Sequence, residues 1–235
     1  MISNSTLWPD GSHMSNDRLG TVSAVFFDVG NTIIDESTEY GTWADWLGVP
    51  RHTFSAVLGA VVAQGRDYRE AFQYFQSGFD LDTERQRRLD VGLGEHFDAR
   101  DLYPDVRPCL TGLKDRGYFV GLAGNQTARA GRLLRELNLP VDFIATSDDW
   151  GEVKPARAFF DKMISSAGQP PSRILYIGDR LDTDILPASE AGLRTCLIKR
   201  GPWGYIFEDS PDAVVADLRV TSLDELLAAL HGQPT

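Results

Sequence analysis

Apolar residues along the chain fall into short blocks, separated by stretches in which they recur every third or fourth position. The blocks TVSAVFF (21–27), YFVGLA (118–123), DFIAT (142–146), RILYIG (173–178) and LRTCLI (193–198), with a weaker DAVVA (212–216), read as buried strands. Helical spacing fills the gaps at PDVRPCLTGLKDRG (104–117), TARAGRLLRELN (127–138), PARAFFDKMISSAG (155–168) and SLDELLAALHG (222–232). Gly117 suits a helix stop, and Pro155 and Ser222 suit helix starts. Strands alternating with helices predict an α/β chain with a doubly wound parallel sheet covered on both faces.

One interval breaks this rhythm. Between Ile34 and Tyr103 the pattern gives helices at RHTFSAVLGAVVAQG (51–65), DYREAFQYFQ (67–76) and DTERQRRLDVGLGEHF (82–97), and no clear strand. A parallel crossover needs only one helix, so 34–103 is expected to be a small helical unit inserted into a core of 15–33 and 104–235. Its aromatics, Tyr40, Trp43, Trp46, Phe54, Phe72, Tyr74 and Phe75, are expected to build the unit's own core.

Composition narrows the class. The 235 residues are 42% apolar and 24% charged, an ordinary globular balance with enough apolar mass for a sizeable core. A formal net charge of −11 argues against nucleic acid or an anionic membrane as partner, while leaving room for a small anion held in one pocket. No stretch approaches the roughly 18 apolar residues of a membrane span, and no basic start leads into an apolar run, so a cytoplasmic protein is expected. Residues 1–14 end in GSHM and resemble a remnant of an expression vector, which would start the native chain near Ser15. The two cysteines, Cys109 and Cys196, lack metal-site spacing and are expected to be reduced packing residues.

The candidate chemistry lies at the strand ends, where open α/β sheets gather functional side chains. The first strand runs into Asp28, the second into Gly124 and Asn125, and the fourth into Gly178 and Asp179, with Asp184 five residues on; Lys154 stands in GEVKPARAFF. Alone, each aspartate would be a turn or capping residue and Lys154 a solvated one. Together, three carboxylates and a lysine suit a divalent cation and a phosphoryl group: oxygen ligands fit magnesium, and the ammonium offsets anionic charge.

The segments FFDVGNT, LAGN, VKP and YIGDRLDTDILPASEAG resemble the four motifs of the haloacid dehalogenase superfamily, in order and across essentially the whole chain. The resemblance implies a Rossmann-like core, with 34–103 as a cap that closes over the active site. It further implies Asp28 as a nucleophile that forms an aspartyl-phosphate, and Mg2+ held by Asp28, the Gly30 carbonyl, Asp179 and Asp184. Lys154 would orient Asp28 and neutralise phosphoryl oxygens, and Gly124 and Asn125 with neighbouring N–H groups would cradle the phosphate of a small phosphorylated substrate.

Two positions depart from that pattern. Family phosphatases usually carry a second aspartate two residues after the nucleophile as general acid and base, where this chain has Gly30; Gly124 stands where a serine or threonine is usual. Loss of a positioned acid costs about 10²–10⁴-fold in rate. Three readings follow. The chain is a phosphatase that takes a good leaving group or borrows an acid from Asp35, Glu36, Glu39 or His52; it performs another reaction of the family; or it is a degenerate member that binds a phosphorylated ligand or a protein partner without turnover. Dehalogenation is disfavoured because GDRLDTD keeps metal carboxylates, and Schiff-base phosphonate cleavage because 33–103 contains no lysine. A signalling receiver domain is shorter and places its acidic pair ahead of the phosphorylated aspartate. Arg51, Arg66, Arg69, Arg85, Arg87 and Arg88 are expected on solvated helix faces, with contact to an anionic substrate as the sharper alternative.

Overall fold

A computed structural model describes residue 19 and residues 21–230; the expected vector remnant and native start lie outside them. β1 (Ala24–Phe27) is followed by α1 (Ser37–Trp46), α2 (Arg51–Ala63), α3 (Glu70–Gln73) and α4 (Leu81–Asp90). The chain continues through α5 (Val106–Asp115), β2 (Phe119–Gly124), α6 (Ala128–Glu136), β3 (Phe143–Thr146), α7 (Ser147–Trp150), α8 (Arg157–Ala167) and β4 (Ile174–Gly178). It then runs through α9 (Leu186–Glu190), β5 (Arg194–Ile198), α10 (Gly201–Phe207), β6 (Leu218–Val220) and α11 (Leu223–Ala229).

The six strands form one sheet in the order β3-β2-β1-β4-β5-β6, and every pairing is parallel. Successive strand residues face opposite layers, so burial on both sides demands unbroken apolar runs. Val25 and Phe27 of β1 join Leu175 and Ile177 of β4 in a core with Leu110, Leu113, Leu134 and Leu226 from α5, α6 and α11. Ala24 and Phe26 join Ile174 and Tyr176 in the opposite layer, with Phe159, Phe160 and Met163 of α8 and Ala188 of α9. The order reverses at β1, which pairs with β2 on one side and β4 on the other, so crossovers leave on opposite faces and open a crevice at the carboxyl ends. Cys109 and Cys196 are free thiols in the first of these cores.

Several elements differ from expectation. The sixth strand is 218–220, not 212–216: Ser210 caps a 3₁₀ turn at Pro211–Val215, and Val214 stays 72% exposed. Leu218 and Val220 point inward instead, three residues being enough to pair with β5. The helix expected over 67–76 shrinks to α3 within tight turns, and that over 82–97 ends at Asp90, ahead of Gly92 with φ +77°. α1 was not evident in the sequence; it buries only Gly41, Trp43 and Ala44, too few for a clear apolar stripe.

Helices α1 to α4 enclose an aromatic cluster. Phe54, Phe72, Trp43 and Phe79 are buried in it, with Tyr40, Trp46 and Phe75 partly buried around them. Tyr74 departs from expectation: it is exposed, and its hydroxyl accepts a hydrogen bond from Arg66 Nη1. Trp203, carried on α10 far along the chain, completes the cluster, its ring 6.1 Å from that of Tyr68.

Candidate active site

The carboxyl ends of β1, β2 and β4 converge, and their geometry follows from local chain behaviour. Asp28 extends β1 by one residue, its N–H donating to the Ile177 carbonyl at 2.8 Å. Asp179 follows β4 directly, and a one-turn π-helix over Leu181–Ile185 turns Asp184 back over the strand end. Gly178 makes room for that return, because a Cβ there would collide with the Asp184 carboxyl.

Lys154 ties the site together. Its buried Nζ donates to Asp28 Oδ1 at 2.6 Å, Asp184 Oδ1 at 2.5 Å and the Tyr176 hydroxyl at 2.9 Å. Burial alone would lower its pKa, but the charges of Asp184 and Asp28 outweigh it and hold the ammonium well above the usual lysine range. Asn125 fixes the backbone that presents this lysine: its Nδ2 donates to the Lys154 carbonyl at 2.9 Å and its Oδ1 accepts from Lys154 N–H at 2.8 Å.

Asp28, Asp179 and Asp184 each offer an oxygen within 4.8 Å of the others, and all three are buried. Lys154 satisfies two of them; Asp179 Oδ2 is buried without any hydrogen-bond partner. Burial, reinforced by the charges of Asp184 and Asp28, pushes Asp179 well above the usual carboxylate range, and burial raises Asp184 against the pull of Lys154. Buried oxygen donors crowded together, one of them orphaned, are a donor set suited to a hard divalent cation.

Gly124 lies close against the nucleophile candidate. A Cβ there would sit 2.7 Å from Asp28 Oδ1 and 3.2 Å from Val29 Cγ2, so a side chain would displace Asp28. At Gly30 the φ is not left-handed; the neighbour Asn31 takes that conformation, at φ +51°. What Gly30 provides is space. A Cβ at residue 30 would lie 2.5 Å from Glu36 Oε1 and 2.8 Å from its Cδ.

The four candidate acids separate cleanly. Asp35 accepts the Ser37 N–H at 2.8 Å, Glu39 pairs with the buried Arg88 at 3.3 Å, and His52 is exposed on α2. Glu36, half-buried, instead turns back toward Gly30, its Oε2 accepting from Asn31 Nδ2 at 2.8 Å. Burial, aided by the charge of Asp28, raises its pKa to about 8. Tyr176 is a site residue absent from the sequence reading; its one signal is a hydroxyl in an aliphatic buried strand, which demands a partner.

An open cavity of about 610 Å³ spreads from Asp28, Lys154 and Asp179 to the face of the inserted helices, where Arg66, Arg69 and Arg85 border it. The other candidate arginines serve elsewhere: Arg51 pairs with Asp45, Arg87 with Glu84, and Arg88 lies over the Trp43 ring. On the core side Arg180 stacks 4.5 Å from the Trp203 ring and pairs with Asp182.

Comparison with known proteins gives the family and the fold. The family model for haloacid dehalogenase-like hydrolase matches residues 22–192. The glyceraldehyde 3-phosphate phosphatase of Pyrococcus furiosus is 26% identical over 227 residues, covering 89% of this chain and 93% of that protein. The ribulose-1,5-bisphosphate 5-phosphatase of Halopiger xanaduensis is 25% identical over 236 residues, 87% of this chain and 97% of its own. Among solved structures, YfnB of Bacillus subtilis, bound to magnesium, superposes with a TM-score of 0.66 at 20% identity, over 90% of this chain and 99% of that one.

Proposed function

The chain belongs to the haloacid dehalogenase-like hydrolase family, and on that footing we propose that it is a magnesium-dependent phosphatase of small phosphorylated metabolites, working through an aspartyl-phosphate on Asp28. The observation that carries this reading is the Lys154 ammonium bridging Asp28 and Asp184 beside the orphaned oxygen of Asp179. Relatives named as phosphatases of a triose phosphate and a sugar bisphosphate support the substrate class.

Asp28, Asp179, Asp184 and the Gly30 carbonyl are the residues that would hold Mg2+. When bound, the ion supplies positive charge that neutralises phosphoryl oxygens and lets three carboxylates stand together. The chain's own groups do the rest. Lys154 holds Asp28 in one orientation and draws negative charge toward it, so the free carboxylate oxygen attacks phosphorus while the bond to the leaving oxygen breaks. Asn125 keeps Lys154 in place, and Gly124 lets the attacking carboxylate and the phosphoryl group approach the end of β2. Residues 34–103 serve as the cap, placing Arg66, Arg69 and Arg85 where they meet the leaving group and exclude water.

The test is a screen of phosphorylated metabolites with and without magnesium, repeated on Asp28→Asn. Magnesium-dependent phosphate release that vanishes in the variant supports the reading. Release that survives Asp28→Asn unchanged overturns it, and a complete absence of release, with phosphorylated ligands still bound, points to a degenerate binding protein.

A further inference from the structure

We infer that Glu36 is the general acid and base of this site, its carboxyl taking from the N-cap position of α1 the place that a side chain on residue 30 would otherwise fill. The inference rests on the hydrolase reading and deepens it. Three features of the chain produce the arrangement. The Val29 carbonyl accepts from Ile33 N–H and Ile34 N–H, each at 3.0 Å, folding the segment after Asp28 into a single tight turn. Asn31, left-handed within that turn, donates to Glu36 Oε2 at 2.8 Å and fixes the carboxyl. Asp35, one residue earlier, makes the capping bond to Ser37 N–H, which leaves Glu36 uncommitted to the helix start.

The position is the informative part. A Cβ built on Gly30 falls 2.5 Å from Glu36 Oε1 and 3.1 Å from Oε2, so the carboxyl occupies the volume where a residue-30 side chain begins. Gly30 and Glu36 also border the same cavity as Asp28 and Lys154. Gly30 is therefore a complement to Glu36 rather than a lost catalytic group.

The balanced steps are these. Asp28 carboxylate attacks phosphorus; the bond from phosphorus to the ester oxygen breaks, and Glu36 gives its proton to that oxygen, releasing an alcohol and leaving Glu36 as carboxylate. A water then attacks the phosphorus of the aspartyl-phosphate. Glu36 takes the water's proton, the bond from phosphorus to Asp28 breaks, and hydrogen phosphate leaves with both carboxyl groups restored.

The test compares p-nitrophenyl phosphate, whose phenolate departs without a proton, with glycerol phosphate, whose alkoxide does not. Glu36→Gln keeps the size of the side chain and an acceptor for Asn31. It should lower the single-turnover rate of glycerol release by about 10²–10⁴-fold, slow the first-turnover burst of p-nitrophenolate far less, and, because water attack on the shared aspartyl-phosphate also slows, prolong the label that acetyl phosphate places on Asp28. Gly30→Asp alone should lose activity, because the new side chain meets Glu36; combined with Glu36→Ala it should regain glycerol phosphate turnover. If Glu36→Gln slows first-turnover release from both substrates equally, or leaves glycerol release and label lifetime unchanged while Asp28 is still labelled, the assignment to Glu36 is wrong and the hydrolase reading stands. If the unaltered protein hydrolyses neither compound and acetyl phosphate never labels Asp28, the hydrolase reading fails and the role of Glu36 falls with it.

Discussion

The Tyr176 hydroxyl accepts the third hydrogen bond of Lys154 Nζ and donates its own O–H to the Ala123 carbonyl, both at 2.9 Å. β4 thereby steadies a lysine that acts on the ends of β1 and β4, and links it to the last turn-free residues of β2. Tyr176→Phe removes that link. It should cost about 1–3 kcal/mol of stability, the price of leaving a buried group short of a partner, and should lower kcat with little change in KM, as read by urea denaturation and steady-state kinetics.

The carboxylates of Asp28, Asp179 and Asp184 repel one another in the absence of a cation. Magnesium binding the folded form alone should stabilise it by about 2.7 kcal/mol at a hundredfold excess over Kd, roughly 5–10 °C in melting temperature for a chain of this size. Asp179→Asn should abolish most of that gain. A melting temperature indifferent to millimolar magnesium would count against the metal site.

The same crowding sets a pH dependence for the metal-free protein. Glu36, Asp179 and Asp184 hold protons in the folded state at pH values where the unfolded chain has released them. Stability is then complete below the ordinary carboxylate range and falls as pH rises, for Glu36 from about 4.5 toward about 8. With solvent screening discounted, Glu36 should contribute on the order of 1–3 kcal/mol to this loss. Denaturation in chelator at pH 6 and pH 8 should show the slope, and Glu36→Gln should flatten part of it. A metal-free protein equally stable at both values would contradict these shifts.

Gly124→Ser would restore the hydroxyl usual in the family, and a gain in activity would be the naive expectation. Here the added Cβ meets Asp28 Oδ1 at 2.7 Å. The substitution should therefore displace the nucleophile and lower turnover by between about 10- and 100-fold, the scale of small misplacements of reacting groups. Kinetics on p-nitrophenyl phosphate give the answer; equal or greater turnover would mean that Asp28 has room to adjust.

Much of this arrangement was legible in residue order. β1 to β5 announce themselves as apolar runs because a sheet buried on both faces leaves few polar positions, and the strand-end rule points to Asp28, Asp179 and Asp184. The sixth strand was not legible, because DAVVA is the more apolar segment and only the Ser210 and Pro211 start turns it into a 3₁₀ helix. Glu36 was visible only as one of four acids. Its selection depends on a left-handed Asn31 and on Asp35 taking the bond to Ser37 N–H, choices that side-chain type favours but that only the folded turn fixes. Lys154 was expected at the site, but the doubled bond from Asn125 to its backbone arises from the meeting of two loops 29 residues apart.

Trp203 gives the inserted helices a debt to the rest of the chain. It leaves β5 on α10, enters the aromatic cluster of α1 to α4, and follows Gly201, which lies so close to Asn31 that a Cβ there would strike its side chain. Heat that loosens the cluster therefore also withdraws support from Asn31, and with it from the carboxyl that Asn31 holds. The inserted helices and the strand-end loops share the fate of one ring, so the molecule should melt in a single cooperative transition, with the aromatic cluster and the sheet losing order together.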